Sequence, residues 1–236
     1  MLRRLAQVIT TDFKDIILSY PRLDDLSAKI TERVKAGHVI FPQAENIFRA
    51  FDEFDVAKTK VVIIGQDCYH TPDVADGLAF STFPTNRVPP SLNNVYAEIK
   101  RCYPEFDRTS PDLTSWARQG VLLINCALTV ESGKPNSHAA LWSEFSDHVI
   151  GEVTRQSYNA VFMLWGNFAK NKYKTIQIAM EQVKNETDDK DYPHCILTAG
   201  HPSPFSVQWF AGCRHFIKAN DYLMEHGREP VDWRGQ

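Results

Sequence analysis

The chain has 236 residues, 43% of them hydrophobic and 23% charged, a balance that fits one globular unit with its own core. No apolar run approaches the ~20 residues of a membrane-spanning helix, which excludes a helical membrane protein. Lysine and arginine number 26 against 29 aspartates and glutamates, and the net charge of −3 excludes a broadly basic nucleic-acid coat, although brief contact with a polyanion needs only a local positive surface.

The first residues, MLRRLAQVITTDFKDI, set Thr10, Thr11 and Asp12 where a secretory signal would keep an unbroken apolar stretch of about 7–15 residues. Asp12, Asp15, Asp24 and Asp25 come too early for a long mitochondrial presequence. Cysteines at 68, 102, 126, 195 and 213 form no CxxC pair and are odd in number, so they indicate neither a zinc site nor a complete disulfide framework. An intracellular, soluble protein of the nucleus or cytoplasm is expected, with a monomer as the default state.

In chain order, the segment to about Phe54 reads as two or three helices, with residues 1–40 packing on the rest. Residues 61–65 (VVIIG) form the first of four apolar runs. Ser91 is placed to cap a helix running toward Cys102, and Pro111-Asp112 leads into one that Gly120 ends. The second run, 121–125 (VLLIN), precedes a helix over 140–156; the third, 161–166 (VFMLWG), precedes one over 167–183. A polar surface loop is expected at 184–191 (KNETDDKD), then the fourth run, 195–199 (CILTA), and a last helix over 212–226 closed by Gly227. The four runs are nearly continuous and rich in β-branched residues, as in strands covered on both faces. The fold class predicted is α/β: a single-domain three-layer α/β/α sandwich over residues 1–236 around a four-stranded, mainly parallel twisted sheet.

Each run ends in a polar cluster: GQDCYH, N-C, G-N and GHPSPFS. Ligands of open parallel sheets bind beyond the strands' carboxyl ends, so these clusters predict one pocket lined by Gln66, Asp67, Tyr69, Asn125, Asn167, His201 and Ser203. His70, His201 and Asp67 match no metal-ligand spacing, and GxGxxG, GxxxxGK[ST] and GxSxG are all missing from the sequence. No metal and no cofactor are therefore expected. A carboxylate that orients water, beside an imidazole or amide that stabilises a leaving anion, points to hydrolysis.

The segments 65–70 (GQDCYH), 77–81 (GLAFS), 89–91 (PPS), 121–130 (VLLINCALTV), 164–166 (LWG) and 201–206 (HPSPFS) resemble, in order, the motifs of the family-1 uracil-DNA glycosylases, from about Phe41 to Trp233. The resemblance implies a base-excision DNA-repair hydrolase that flips uracil out of single- or double-stranded DNA and cuts its N-glycosidic bond. It implies Asp67 and His201 as the catalytic pair, the first activating water and the second holding uracil O2. Gln66, Tyr69, Phe80 and Asn125 become base-binding residues: Tyr69 blocks the thymine methyl, Phe80 stacks and Asn125 reads the base edge. Ser91, Asn167 and Ser203 become phosphate contacts and Phe205 the DNA wedge. A DNA-mimicking protein inhibitor is the implied protein partner.

The pattern departs at Cys68, where proline is usual, at Asp76 for histidine, Val88 for proline and Asn167 for serine. Phe205 stands for leucine, and 207–211 (VQWFA) is one residue short, so Phe205, helped by Trp209 or Phe210, is expected to stack into the duplex. Two other readings stay open. Cys68 could be the nucleophile of a cysteine hydrolase with His70 or His201 as base, or the chain could be a DNA-binding replication accessory on a glycosylase fold. Taken singly, Asp67 also suits a turn cap, and His201 a satisfied core histidine.

Overall fold

The computed structural model describes residues 1–187 and 194–235. Three helices, α1 (Leu2–Gln7), α2 (Phe13–Ser19) and α3 (Leu23–Lys35), precede a short strand β1 (Ile40–Phe41). The central strand β2 (Val61–Asp67) leads through α4 (Pro90–Cys102) and α5 (Thr114–Ala117) to β3 (Val121–Ala127) and β4 (Val130–Glu131). Helix α6 (Ala139–Gln156) returns to β5 (Val161–Trp165), and α7 (Gly166–Lys170) and α8 (Tyr173–Glu186) reach β6 (Cys195–Ala199), after which comes α9 (His215–Glu225).

The sheet is parallel in the order β3-β2-β5-β6, with Val61 opposite both Val121 and Val161, and Val161 opposite Cys195. All four carboxyl ends therefore lie along one edge. The chain leaves β2 toward β3 and then crosses back to β5, so the order reverses at β2, where a crevice opens in such sheets. Helices cover both faces: α6 packs on β3 and α8, with α2 and α3 outside it, while α9 packs on β5, β6 and α4. The α/β/α layering and the parallel sheet are thus as the sequence implies.

Burial explains the continuous apolar runs. Every residue of β3 and β5 and the first five of β2 are buried, and Trp116, Trp142, Trp165 and Trp233 fill the space between sheet and helices. Coverage of both faces fails at β6, whose first three residues are half-buried and whose Thr198 is exposed. As an edge strand it leaves a groove against α8, lined by Tyr173, Met180, His194 and Ile196.

Several boundaries differ from the sequence reading. Strands β2 and β3 run two residues further, so Asp67 sits on a strand, not on a loop, and Asn125 lies within its strand and not at its end. Ser91 does not cap α4: Pro89 holds the cap position, Pro90 starts the helix, and Ser91 lies inside the first turn. The helix after Pro111 is a single turn, and the one placed over 167–183 is two, α7 and α8. The pair β1–β4, Phe41 opposite Val130, was not visible in so short a pattern. Lys184–Glu186 belong to α8, and the part of the polar loop over 188–191 falls outside the described residues. Among the described residues no helix is long and apolar enough to cross a membrane.

Candidate active site

Asp67 closes β2 at the switch point. Its Oδ2 accepts the backbone N–H of Asn136 at 2.6 Å, while its Oδ1 is buried with no hydrogen-bond partner among the described residues. Burial raises this carboxyl above the ordinary aspartate value, against the opposing pull of the Asn136 and Cys68 backbone N–H groups and of His70. Gln66 donates from Nε2 to Asn136 Oδ1 at 2.5 Å, so one asparagine holds both neighbours. Asn136 has φ +63°, a left-handed conformation that asparagine tolerates, in the turn after β4. That turn is anchored by Glu131, whose N–H donates to Ser137 Oγ at 2.9 Å and whose buried carboxylate pairs with Lys134 and Arg33 and faces His38. Lys134 first, then Arg33 and His38, hold Glu131 down to about 2. Sequence reasoning missed Asn136 and Glu131; the only signal was the turn-forming GKPN before Ser137.

Asn125 lies beside Gly65 in the β2–β3 pair and is buried. A Cβ on Gly65 would come 2.2 Å from Asn125 Oδ1, so only bare backbone lets the amide sit there. Its Nδ2 approaches Cys68 Sγ at 3.8 Å, and that thiol donates to the Ala127 carbonyl at 3.2 Å. Burial pushes the Cys68 thiol far up, the opposite of what a thiolate nucleophile requires. Tyr69 donates its hydroxyl to the Phe80 carbonyl at 3.2 Å.

Phe80 has φ +66°, a conformation that costs a non-glycine residue about 1–3 kcal/mol and persists only when its surroundings impose it. The fully buried Asp76 supplies the constraint. Its carboxylate accepts the Leu78 N–H at 3.0 Å and the Ser81 hydroxyl at 2.6 Å, and pairs with Arg49 at 2.9 Å. Thus held, the Phe80 ring lies 5.6 Å from that of Trp165 and 5.9 Å from that of His201. Asp67, Cys68, Tyr69, Phe80 and Asn125 line one narrow recess of about 10 Å³, so a flat base enters only as the surrounding loops part.

His201 follows β6. Its Nδ1 accepts the Ser203 N–H at 3.0 Å, which leaves the proton of the neutral ring on Nε2, and burial lowers its pKa. Ser206 Oγ donates to the His201 carbonyl at 2.8 Å and lies 3.0 Å from Ser203 Oγ, fixing the loop from within. Asn94 of α4 donates to the Pro202 carbonyl at 2.7 Å, which brings the first turn of α4, with Ser91, beside this loop. Asn167, the second residue of α7, lines a broad hollow together with His201, Ser206 and Trp209. Phe205 and Trp209 are 92% and 66% exposed, whereas Phe210 is fully buried, 5.0 Å from the ring of Trp165. Phe210 is therefore core and unavailable to DNA, a correction to its expected part in the wedge. Among the described residues no group of three or more His, Cys, Asp or Glu could hold a metal ion.

A buried carboxylate oxygen and an amide thus line the narrow recess, while His201 and Asn167 line the neighbouring hollow, the His201 ring lying 5.9 Å from that of Phe80; the single pocket expected from the sequence is two hollows side by side. The Uracil DNA glycosylase superfamily profile matches residues 51–224. A uracil-DNA glycosylase of Dichelobacter nodosus is 47% identical over 200 residues, 84% of this chain and 82% of that protein. One from Campylobacter jejuni is 44% identical over 211 residues, 89% of this chain and 86% of its own length. The crystal structure of mimivirus uracil-DNA glycosylase matches at a TM-score of 0.81 and 26% identity, over 94% of this chain and 84% of that one. A variant of the mimivirus protein in complex with UGI matches at 0.83 and 27%, over 94% and 86%. By profile and by identity across most of its length, the chain belongs to the uracil DNA glycosylase superfamily.

Proposed function

We propose that this chain is a cofactor-free, monofunctional uracil-DNA glycosylase that releases free uracil from DNA and leaves an abasic site for repair. The observation that carries the reading is Asp67 Oδ1, a buried carboxylate oxygen with no protein partner among the described residues, at the switch point of the sheet. It suits the acceptor of the attacking water's proton. The C1′–N1 bond breaks with its electron pair passing to uracil, the water oxygen joins C1′, and the water proton goes to Asp67. His201 Nε2–H donates to the O2 oxygen where the leaving anion concentrates its charge.

Recognition follows from the slot. Phe80 stacks on the base, Gln66 presents its backbone to it, and the Asn125 amide pairs with O4 and N3 of uracil; cytosine leaves that buried amide mispaired at a cost of about 1–3 kcal/mol. Tyr69 stands as a wall against a thymine methyl. Extruding a base costs a few kcal/mol, offset by phosphate contacts at Ser91, Asn167 and Ser203 and by Phe205 entering the stack. A DNA-mimicking protein inhibitor would fit the same rim, as the complex of the mimivirus relative with UGI suggests.

The test is uracil release from single-stranded and duplex oligonucleotides carrying one uracil. Release by the wild type and its loss in D67N support the reading; DNA binding without release would establish the accessory module instead.

A further inference from the structure

Four of the five tryptophans are buried to within 2% exposure, but Trp209 is 66% exposed and contributes little to the core. Its backbone is nevertheless fixed. The Gly200 N–H donates to the Trp209 carbonyl at 2.8 Å, Trp209 N–H donates to the Ser206 carbonyl at 3.1 Å, and a Cβ on Gly200 would come 2.6 Å from the Trp209 Cβ. An outward indole is thus mounted on a rigid base.

The indole forms one wall of a hollow of about 530 Å³, within the ~300–1,000 Å³ range of small-ligand sites. The other walls are Asn167 and Lys170 of α7, exposed Thr198 of β6, and His201. Lys170 makes no ion pair among the described residues. A π platform, an unpaired ammonium and neutral hydrogen-bonding groups in one hollow match a nucleotide, whose base stacks while its phosphate meets the cation.

We infer that this hollow is a flanking-nucleotide subsite, in which Trp209 stacks on an unpaired base next to the flipped uridine and Lys170 meets its phosphate. The inference rests on the uracil-DNA glycosylase reading above and names its substrate class: uracil in single-stranded DNA. His201 belongs to both the catalytic site and the hollow, so a strand that delivers uracil to His201 carries its neighbour over Trp209. In a duplex that neighbour is paired and stacked, and the platform has nothing to take.

The test compares wild type, W209A and W209F on a single-stranded oligonucleotide with one uracil, on the same strand with abasic spacers flanking the uridine, and on the duplex. Stacking of one base predicts that the spacers raise the wild-type KM roughly tenfold. W209A should show a similar rise on the normal strand and differ less than twofold between normal and spacer strands; W209F should lie between, and the duplex should change less than threefold. K170A should lower the salt dependence of single-strand binding by about 0.7 in log–log slope. Wild-type indifference to the spacers, or an equal W209A loss on all three substrates, overturns the subsite. If no substrate is cleaved at all, the function reading fails instead. The subsite is then read by tryptophan emission on adding single-stranded DNA: quenching that W209F lacks upholds it, and unchanged emission overturns it.

Discussion

His201 accepts the backbone N–H of Ser203 on Nδ1 at 3.0 Å, a bond that a protonated imidazole, with hydrogens on both nitrogens, cannot accept. Together with burial, this keeps the ring neutral with its hydrogen on Nε2, while burial raises Asp67. The signs differ in consequence. As the proposed acceptor of the water proton, Asp67 must be ionised, so activity should fall as pH drops through its raised pKa, at higher pH than an ordinary aspartate would give. A lowered histidine pKa keeps His201 neutral to lower pH than an ordinary imidazole. Single-turnover rates against pH should show one acid limb, and nitrogen NMR should show His201 neutral across it; a His201 resonance titrating together with the limb would reassign the limb to the imidazole.

The Asp76–Arg49 pair should govern substrate binding through Phe80. Asp76 is fully buried, so D76A takes the nearer carboxylate from Arg49, leaving it Asp112 at 3.7 Å and Thr114, and frees the Ser81 and Leu78 donors that shape the Phe80 turn. Breaking such a pair costs about 3 kcal/mol of stability. Denaturant unfolding should show that loss, and steady-state kinetics should show KM rising about tenfold. An unchanged KM would mean that the Phe80 turn holds without Asp76.

Gly65→Ala isolates the reading of the base edge. The added methyl lies 2.2 Å from Asn125 Oδ1 and 3.0 Å from the Ala79 Cβ, so the amide must move. Uracil release should fall by 100-fold or more, with thermal unfolding lowered by only a few degrees. Retained release would show that Asn125 is not the residue that reads the base.

Cys68→Ala separates thiol chemistry from water chemistry. The thiol is buried and its pKa raised, and it lines the recess, so alkylating it would block the slot without proving nucleophilic attack. C68A should keep release within about fivefold of wild type, measured under single-turnover conditions; complete loss would revive the cysteine hydrolase.

The sheet was legible because fully buried parallel strands leave continuous apolar runs, and Asp67, Asn125 and His201 were legible because they punctuate those runs. What sequence did not reveal depends on long-range contact. Asn136 reaches Asp67 across 69 positions, and Arg49 reaches Asp76 from a segment with no motif of its own. Ser91 misled as a cap because the Pro89-Pro90 pair starts the helix two residues earlier. Phe210 misled because two adjacent aromatics show no periodicity, and only packing against Trp165 tells core Phe210 from exposed Trp209.

Phe205 is the most exposed large hydrophobic side chain among the described residues, at 92%, on a loop pinned by Ser203, Ser206 and Asn94. A rigid loop bearing a bare aromatic ring contributes nothing to folding, so Phe205→Ala should leave the unfolding midpoint unchanged. As a wedge, the ring would fill the gap left by the extruded nucleotide, a gap bounded on both sides only when the opposite strand holds the stack in place. Release from duplex should therefore fall roughly tenfold or more, and release from single strands by less than threefold. Opposite trends in F205A and W209A, one costing duplex and the other single strand, would separate two aromatic side chains only four residues apart. Equal activity of F205A on duplex would remove Phe205 from the extrusion step.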